Sequence, residues 1–416
     1  MVVKPCAEVK GEVTVSGSKN SALPLLASAL LVEELILENF PLLLDTLYAL
    51  KILKILGKDI ELNPTLKRVR IYGEIKRIKV PYELSSRFRG SILFLGGLLG
   101  AGGKAVISHP GGCAIGARPI DQHLKFLSHL GANLTLKGGY INASLPKEVK
   151  NSNFVFDVVT VTGTENALLT LAGLEGEFTL ENVALEPEVF DLLDFLRKLG
   201  IKILTHGRTL KISVPPKGRL KRRLTHRVIP DRIEAGTFLV LGSLLGNPLK
   251  VSGLNTDHLG VLLEKLEEAG VTLKILTPTE VEVFRSLPPK GLFIETAPYP
   301  GFPTDMQAQF MAMLSVARGS SVIVEKIFEN RFQHALELVR MGANIKIKGN
   351  TAVIEGVKKL VGAPVKATDL RASASLVIAG LIAEGQTEIS EIYHLLRGYE
   401  DMDKKLTFLG CHAELI

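Results

Sequence analysis

Residues 192–204 read LLDFLRKLGIKIL. Leucines and a phenylalanine recur at helical spacing with charges between them, so the first eight residues predict an amphipathic helix. Gly200 stands where a helix end takes a left-handed residue, and a short alternating strand follows it. The same phrase occurs five more times: KILKILGKDIEL (51–62), HLKFLSHLGANLTL (123–136), LEKLEEAGVTLKIL (263–276), ALELVRMGANIKI (335–347) and KKLTFLGCHAEL (404–415). The glycines are Gly57, Gly131, Gly200, Gly270, Gly342 and Gly410, at intervals of 74, 69, 70, 72 and 68 residues. So regular a period marks a chain built of six copies of one supersecondary unit.

A second helix type lies between these phrases. It reads SALPLLASALL (21–31), SILFLGGLLG (91–100), NALLTLAGL (166–174), GTFLVLGSLLG (236–246), MQAQFMAMLSVA (306–317) and ASASLVIAGLIA (372–383). These segments are apolar nearly all round and rich in Ala and Gly. A helix with no polar face is buried, and small residues let its neighbours approach closely. Two helices and several strands per copy predict α/β architecture, with three copies in each of two domains. The boundary is expected near residues 219–232, RLKRRLTHRVIPDR. That basic run reads either as a solvated crossing between domains or as an anion-binding patch.

Composition narrows the function. Hydrophobic residues make up 46% of the 416 and charged residues 22%, enough to build more than one core and too apolar for disorder. The net charge of +7 suits an anionic small molecule or nucleic acid alike. Tryptophan is absent and aromatics are 6%, which disfavours a base-stacking surface. Cys6, Cys113 and Cys411 form no CxxC pair, and the nine histidines include no HExxH, so neither a zinc site nor another metal centre is expected. Cys6 and Cys411 read as small apolar fillers. The start of the chain lacks a signal layout, and uncharged runs such as 20–32 and 236–249 fall short of a membrane span of about 18 residues. A soluble, cytoplasmic protein is expected.

Polar residues collect where the apolar helices begin. Gly17-Ser18-Lys19-Asn20 precedes the first one. Pro24 belongs in a first helical turn, which predicts a helix start close to it. Lys19 and Asn20 then lie beside free backbone N–H groups, either as an anion site or as a capped helix end with a solvated lysine. Equivalent starts carry Arg87 and Arg89, then Thr160, Thr162 and Thr164, then Asp231, Arg232 and Glu234, then Thr304 and Asp305, then Asp369 and Arg371. If three such starts converge in each domain, a polar cleft between the domains is expected. Capping alone would also account for these residues. The stretch SHPGGCAIGARP (108–119) has three glycines and two prolines, so it predicts an irregular exposed loop. Cys113 there reads as a thiol that meets substrate beside Arg118, or as an incidental thiol in a turn.

Together these residues resemble the UDP-N-acetylglucosamine enolpyruvyl transferases. The resemblance spans essentially the whole chain and rests on six motifs in order. They are Gly17 to Asn20, PGGCAIGARPID (110–121), Gly301-Phe302-Pro303-Thr304-Asp305-Met306-Gln307, Phe328-Glu329-Asn330-Arg331, Asp369-Leu370-Arg371 and Arg397-Gly398-Tyr399-Glu400. It implies a two-domain inside-out α/β barrel, the enolpyruvyl transferase fold, with six βαβαββ repeats, three per domain. One domain would be 20–227, and residues 1–19 would join 228–416 in the other. The implied reaction moves the enolpyruvyl group of phosphoenolpyruvate to the sugar 3′-hydroxyl and releases phosphate, the first committed step of peptidoglycan synthesis.

The resemblance also implies roles for residues. The catalytic set would be Cys113, Asp305, Lys19 and Arg397, with Cys113 as general acid toward the methylene carbon and Asp305 taking the hydroxyl proton. Phosphoenolpyruvate, with about three negative charges, would meet Lys19, Asn20, Arg118, Arg331, Arg371 and Arg397. The UDP-sugar would meet Arg89, Arg118, Pro119, Ile120, Asp121, Gln122, Val158, Val159, Thr160, Val161, Thr304, Asp305 and Ile327. Asp369 would stand near the reacting centre. No cofactor, metal, nucleic acid, membrane or obligate protein partner is implied. A cysteine at 113, where some members have aspartate, implies sensitivity to thiol-directed epoxides such as fosfomycin.

The chain departs from the family pattern at Val158-Val159-Thr160-Val161-Thr162-Gly163, where a lysine and Ser-Val-Gly are frequent, and mildly at Gly90. Two other readings compete. The sister enzyme acting on shikimate 3-phosphate carries a Gly-Asn-Ala-Gly-Thr signature near positions 83–90, where this chain reads ELSSRFRG. The other is a non-catalytic RNA-binding module on the related repeat, against which the missing tryptophan argues.

Overall fold

A computed structural model describes every residue of the chain except Cys113, Ala114, Ala117, Arg118, Lys150 and Leu287. The amphipathic phrases form outer helices Leu44–Leu56, Asp121–His129, Pro187–Leu199, Gly260–Glu268, Gln333–Arg340 and Met402–Phe408. All six repeat glycines have φ between 80° and 115°, a backbone region that a Cβ disfavours, and each turns the chain from helix into strand.

The apolar segments form six buried helices. We number them α1 (Lys19–Ser28), α2 (Leu93–Gly102), α3 (Val161–Leu171), α4 (Arg232–Leu245), α5 (Gln307–Leu314) and α6 (Leu370–Ile382). Small residues set how close they come. A Cβ built on Gly100 of α2 would lie 2.2 Å from the carbonyl oxygen of Leu169 on α3, so only glycine fits at this separation. Pro24 departs from the sequence expectation: it is the sixth residue of α1, not part of its first turn. Its ring nitrogen cannot donate to the carbonyl of Asn20, so the helix omits one internal bond there.

Among the described residues the strands form six four-stranded sheets of one design. In the third repeat, Ser152–Val155 pairs in parallel with Gly176–Glu181, which pairs antiparallel with Thr209–Val214, which pairs antiparallel with Lys202–His206. A parallel pair needs a crossover, and α3 supplies it. Among the described residues none of the six sheets closes into a barrel.

Three sheets borrow a strand from far along the chain. Arg223–Arg227, within the basic run, pairs in parallel with Glu34–Glu38 and so completes the first repeat. That run therefore includes a paired strand at the edge of a sheet. Arg222 Nη1 stands 2.8 Å from Glu33, and His226 is buried among its exposed arginines. Val9–Thr14 pairs in parallel with Gly246–Ser252 in the fourth repeat, and Val2–Val3 lies between Thr387–Ser390 and Ala413–Glu414 in the sixth. The described residues thus divide into one unit of residues 17–112 and 119–229, and another of 1–16, 115–116 and 230–416. Each has its own apolar core, around α1–α3 in the first and α4–α6 in the second. No helix among the described residues is long and apolar enough to cross a membrane.

Candidate active site

In the unit that contains 230–416, a charged cluster gathers at the starts of α5 and α6. Phe302 packs edge-on against Phe310 of α5, ring centroids 5.0 Å apart, and this anchors the 3-10 turn Thr304–Met306. Asp305 lies in that turn. Its Oδ1 accepts from Arg331 Nη2 at 2.7 Å, and its Oδ2 accepts from Nε and Nη2 of Arg371, both at 3.2 Å. Arg331 Nη1 also donates to the Thr304 hydroxyl at 2.8 Å.

Both arginines are buried while the Asp305 side chain keeps 27% of its exposure, so the carboxylate faces outward from a cationic floor. Burial opposes the charge of each guanidinium. For Arg331 the carboxylates of Asp305, Asp369 and Glu325 outweigh it, and its pKa is raised above the ordinary value. For Arg371 the groups that outweigh burial are Asp305, Tyr399 and Asp231. Both groups therefore stay charged, as anion binders must.

Supporting residues hold this cluster. Asp369 caps α6, accepting from the N–H groups of Arg371 and Ala372 at 2.8 and 3.0 Å; Asp231 caps α4 in the same way. The ring of Tyr399 lies 5.4 Å from the Arg371 guanidinium carbon, and its hydroxyl bonds Thr237 of α4 and Gln309 of α5 at 3.0 Å each. Arg397 is buried at the end of the short helix Tyr393–Leu396. Ile327 donates its N–H to Glu325 at 2.9 Å.

The unit that contains 17–112 carries a second polar group of residues. Ser18 caps α1, its hydroxyl accepting from the Ser21 N–H. Lys19 is mostly buried, with Nζ 3.6 Å from Asp45, so it is a paired cation rather than a solvated one. Below it the Ser21 hydroxyl donates to Asp191, whose other oxygen lies 2.7 Å from Nε2 of the buried His226. Asn20 follows Lys19 on α1.

The segments 119–123 and 157–162 are tied together in the same unit. Arg89 Nη2 donates to the Pro119 carbonyl at 2.7 Å. Gln122 donates to Asp121 and Asp157 at 2.9 and 3.0 Å, and its oxygen accepts the Asp157 N–H at 3.0 Å. His123 Nε2 lies 3.1 Å from the Thr162 hydroxyl. Thr160 caps α3 through the Gly163 N–H, Ile120 is buried, Val158 is exposed, and Val159 and Val161 are half-buried. Cys113 and Arg118 lie outside the described residues.

A family model described as EPSP synthase (3-phosphoshikimate 1-carboxyvinyltransferase) matches residues 3–406. The UDP-N-acetylglucosamine 1-carboxyvinyltransferase of Geotalea uraniireducens is 48% identical over 413 residues, covering 99% of this chain and 97% of its own. The protein of that name from Thermodesulfovibrio yellowstonii is also 48% identical, over 98% and 97%. The chain belongs to the EPSP synthase family. Among solved structures, the enolpyruvyl transferase NikO from Streptomyces tendae aligns with a TM-score of 0.89 at 26% identity, covering 99% of this chain and 97% of that one. EPSP synthase from Acinetobacter baumannii shares the fold, with a TM-score of 0.77 at 19% identity over 99% and 98%.

Within this enolpyruvyl transferase, the structure joins Thr304, Asp305, Arg331 and Arg371 by direct hydrogen bonds, and it pairs Arg89 with Pro119 and Gln122 with Asp121. Sequence reasoning missed Glu325, Asp157, Asp45 and Asp191. Glu325 had a signal: Ser321 and Ile323 face inward on the strand Ser320–Val324, and the same parity puts an acidic residue inside. The other three partner groups distant in sequence and carried no local mark.

Proposed function

We propose that this enolpyruvyl transferase moves the enolpyruvyl group of phosphoenolpyruvate to the 3′-hydroxyl of UDP-N-acetylglucosamine, with release of phosphate. The observation that carries the acceptor is the 47–48% identity, over essentially the whole chain, to proteins of that name. The reaction supplies the first committed step of peptidoglycan synthesis, in the cytoplasm, where a free thiol stays reduced.

The chemistry is addition followed by elimination. The sugar oxygen bonds to C2 of phosphoenolpyruvate while C3 gains a proton, which gives a tetrahedral ketal. A proton then leaves C3, the C2–O bond to phosphate breaks, and the double bond re-forms. Asp305 is the group that accepts the hydroxyl proton, and its outward-facing carboxylate supports that role. Cys113 is the acid toward C3. Arg331, Arg371 and Arg397 receive the anionic donor with Lys19, Asn20 and Arg118. Arg331 and Arg371 support this as two buried guanidinium groups that stay charged beside Asp305. Arg89, Pro119 to Gln122, Val158 to Val161, Thr304 and Ile327 receive the UDP-sugar, and Asp369 orients the start of α6 beside the reacting groups.

The test is phosphate release from phosphoenolpyruvate with UDP-N-acetylglucosamine or shikimate 3-phosphate offered in parallel. Release with the UDP-sugar alone is expected. Release with shikimate 3-phosphate alone would keep the fold and chemistry but replace the acceptor.

A further inference from the structure

Glu325 is buried at the end of the strand Ser320–Val324, and its carboxylate accepts four hydrogen bonds. Oε1 accepts from the Thr296 hydroxyl at 2.8 Å and from the N–H groups of Ile327 and Phe328 at 2.9 and 3.2 Å. Oε2 accepts from the Thr304 hydroxyl at 2.8 Å. One side chain thus ties together the end of the strand Phe293–Glu295, the turn that holds Asp305 and the loop that leads to Arg331.

A threonine hydroxyl has one hydrogen. Glu325 takes it, so the Thr304 oxygen presents only lone pairs to its other neighbours, and Arg331 Nη1 donates to one of them at 2.8 Å. The other arm of the same guanidinium, Nη2, then meets Asp305 at 2.7 Å. We infer that Glu325 is a positioning residue for the transfer reaction, which fixes the Thr304 hydroxyl as an acceptor and through Arg331 sets the Asp305 carboxylate. The inference rests on the reading of Asp305 as the group that accepts the sugar hydroxyl's proton.

Glu325→Gln tests the polarity without changing the shape. The new amide oxygen must face the Ile327 and Phe328 N–H groups, because the reverse orientation would set donors against donors. Its NH2 then points at Thr304, which must accept from it with one lone pair, keep the other for Arg331 and turn its own hydrogen away, so that no charged acceptor fixes the hydroxyl. Turnover by Glu325→Gln, Thr304→Val and the double variant is measured by phosphate release, with thermal melts beside each. Each single change is expected to lower kcat by about tenfold or more, as for a hydrogen bond to a charged group. The double variant should be no slower than the worse single one, because both interrupt one chain of contacts. Thr304→Ser, which restores the hydroxyl, should recover most of the rate lost in Thr304→Val.

A Glu325→Gln rate within about twofold of the parent overturns the inference, and so do losses that multiply in the double variant. So does a loss of rate that simply follows the loss of folded protein in the melts. An inactive parent chain overturns the reaction reading and this inference with it, whereas an active parent with an unaffected Glu325→Gln overturns the inference alone.

Discussion

Arg371 places Nε and Nη2 on a single oxygen of Asp305, Oδ2, each at 3.2 Å, and leaves Oδ1 to Arg331. The carboxylate is therefore held from both sides in one orientation by groups that cannot lose their charge. It is oriented before any substrate arrives, and orientation is a large part of what a general base contributes.

Asp305→Asn should lower turnover by about 10²–10⁴-fold, the range for loss of a general base. It should also lower stability, since two buried guanidinium groups would face a neutral amide. Phosphate release and thermal melts on the same sample separate the two effects. An Asp305→Asn protein that retains its rate would remove Asp305 from the chemistry.

Acid should destabilise the fold through two buried histidines, one in each unit. Burial, aided by Arg331, takes His334 from the ordinary 6.5 down to about 4. Burial and Arg89 take His123 from the same value down to about 3. Both rings are neutral in the folded chain, and both would take up a proton near 6.5 once unfolded. Their contribution is full above about pH 6.5 and is lost as pH falls from there through the folded values, because the unfolded chain binds the extra protons. The melting temperature should therefore fall between about pH 7 and pH 5, and His334→Gln should flatten that slope. An identical slope in the variant would assign the acid sensitivity elsewhere.

Gly100→Ala should destabilise the first unit by about 1–3 kcal/mol, the usual range for an overpacked core site. The added methyl group meets the Leu169 carbonyl oxygen at 2.2 Å and Leu31 Cδ2 at 3.0 Å. Gly102, two residues on in the same helix, has nothing within 4 Å of a built Cβ. Gly102→Ala is expected to be neutral or slightly stabilising. Equal effects at the two positions would refute the close α2–α3 packing as the cause.

Cys113→Ser should abolish turnover, because a hydroxyl is a far weaker acid than a thiol of pKa about 8.5. Its melting temperature should stay near that of the parent. A serine variant with full activity would return Cys113 to an incidental thiol.

The six repeats and both helix types were legible in the amino-acid order, since each depends on neighbours three or four residues apart and on a glycine at each helix end. The motifs around Thr304, Asp305, Arg331 and Arg371 could be read as members of one family pattern for a similar reason: they are short and contiguous. Partnerships across long separations could not be read. Nothing near Val9–Thr14 says that it pairs with Gly246–Ser252, and nothing near Arg223–Arg227 says that it pairs with Glu34–Glu38. A strand's partner is chosen by which apolar face the rest of the fold leaves uncovered. Pro24 sits inside α1 rather than in its first turn because a helix buried on every side can give up one backbone bond that an isolated helix would need. Glu325 carries little mark in the sequence, because an acidic residue at a strand end is ordinary at a surface. It becomes a hub only where Thr296, Thr304 and the 327–328 backbone bring four donors to one buried carboxylate. Local periodicity sets the elements, while the pairing of strands and the fate of buried charge depend on what the folded chain brings within hydrogen-bonding distance.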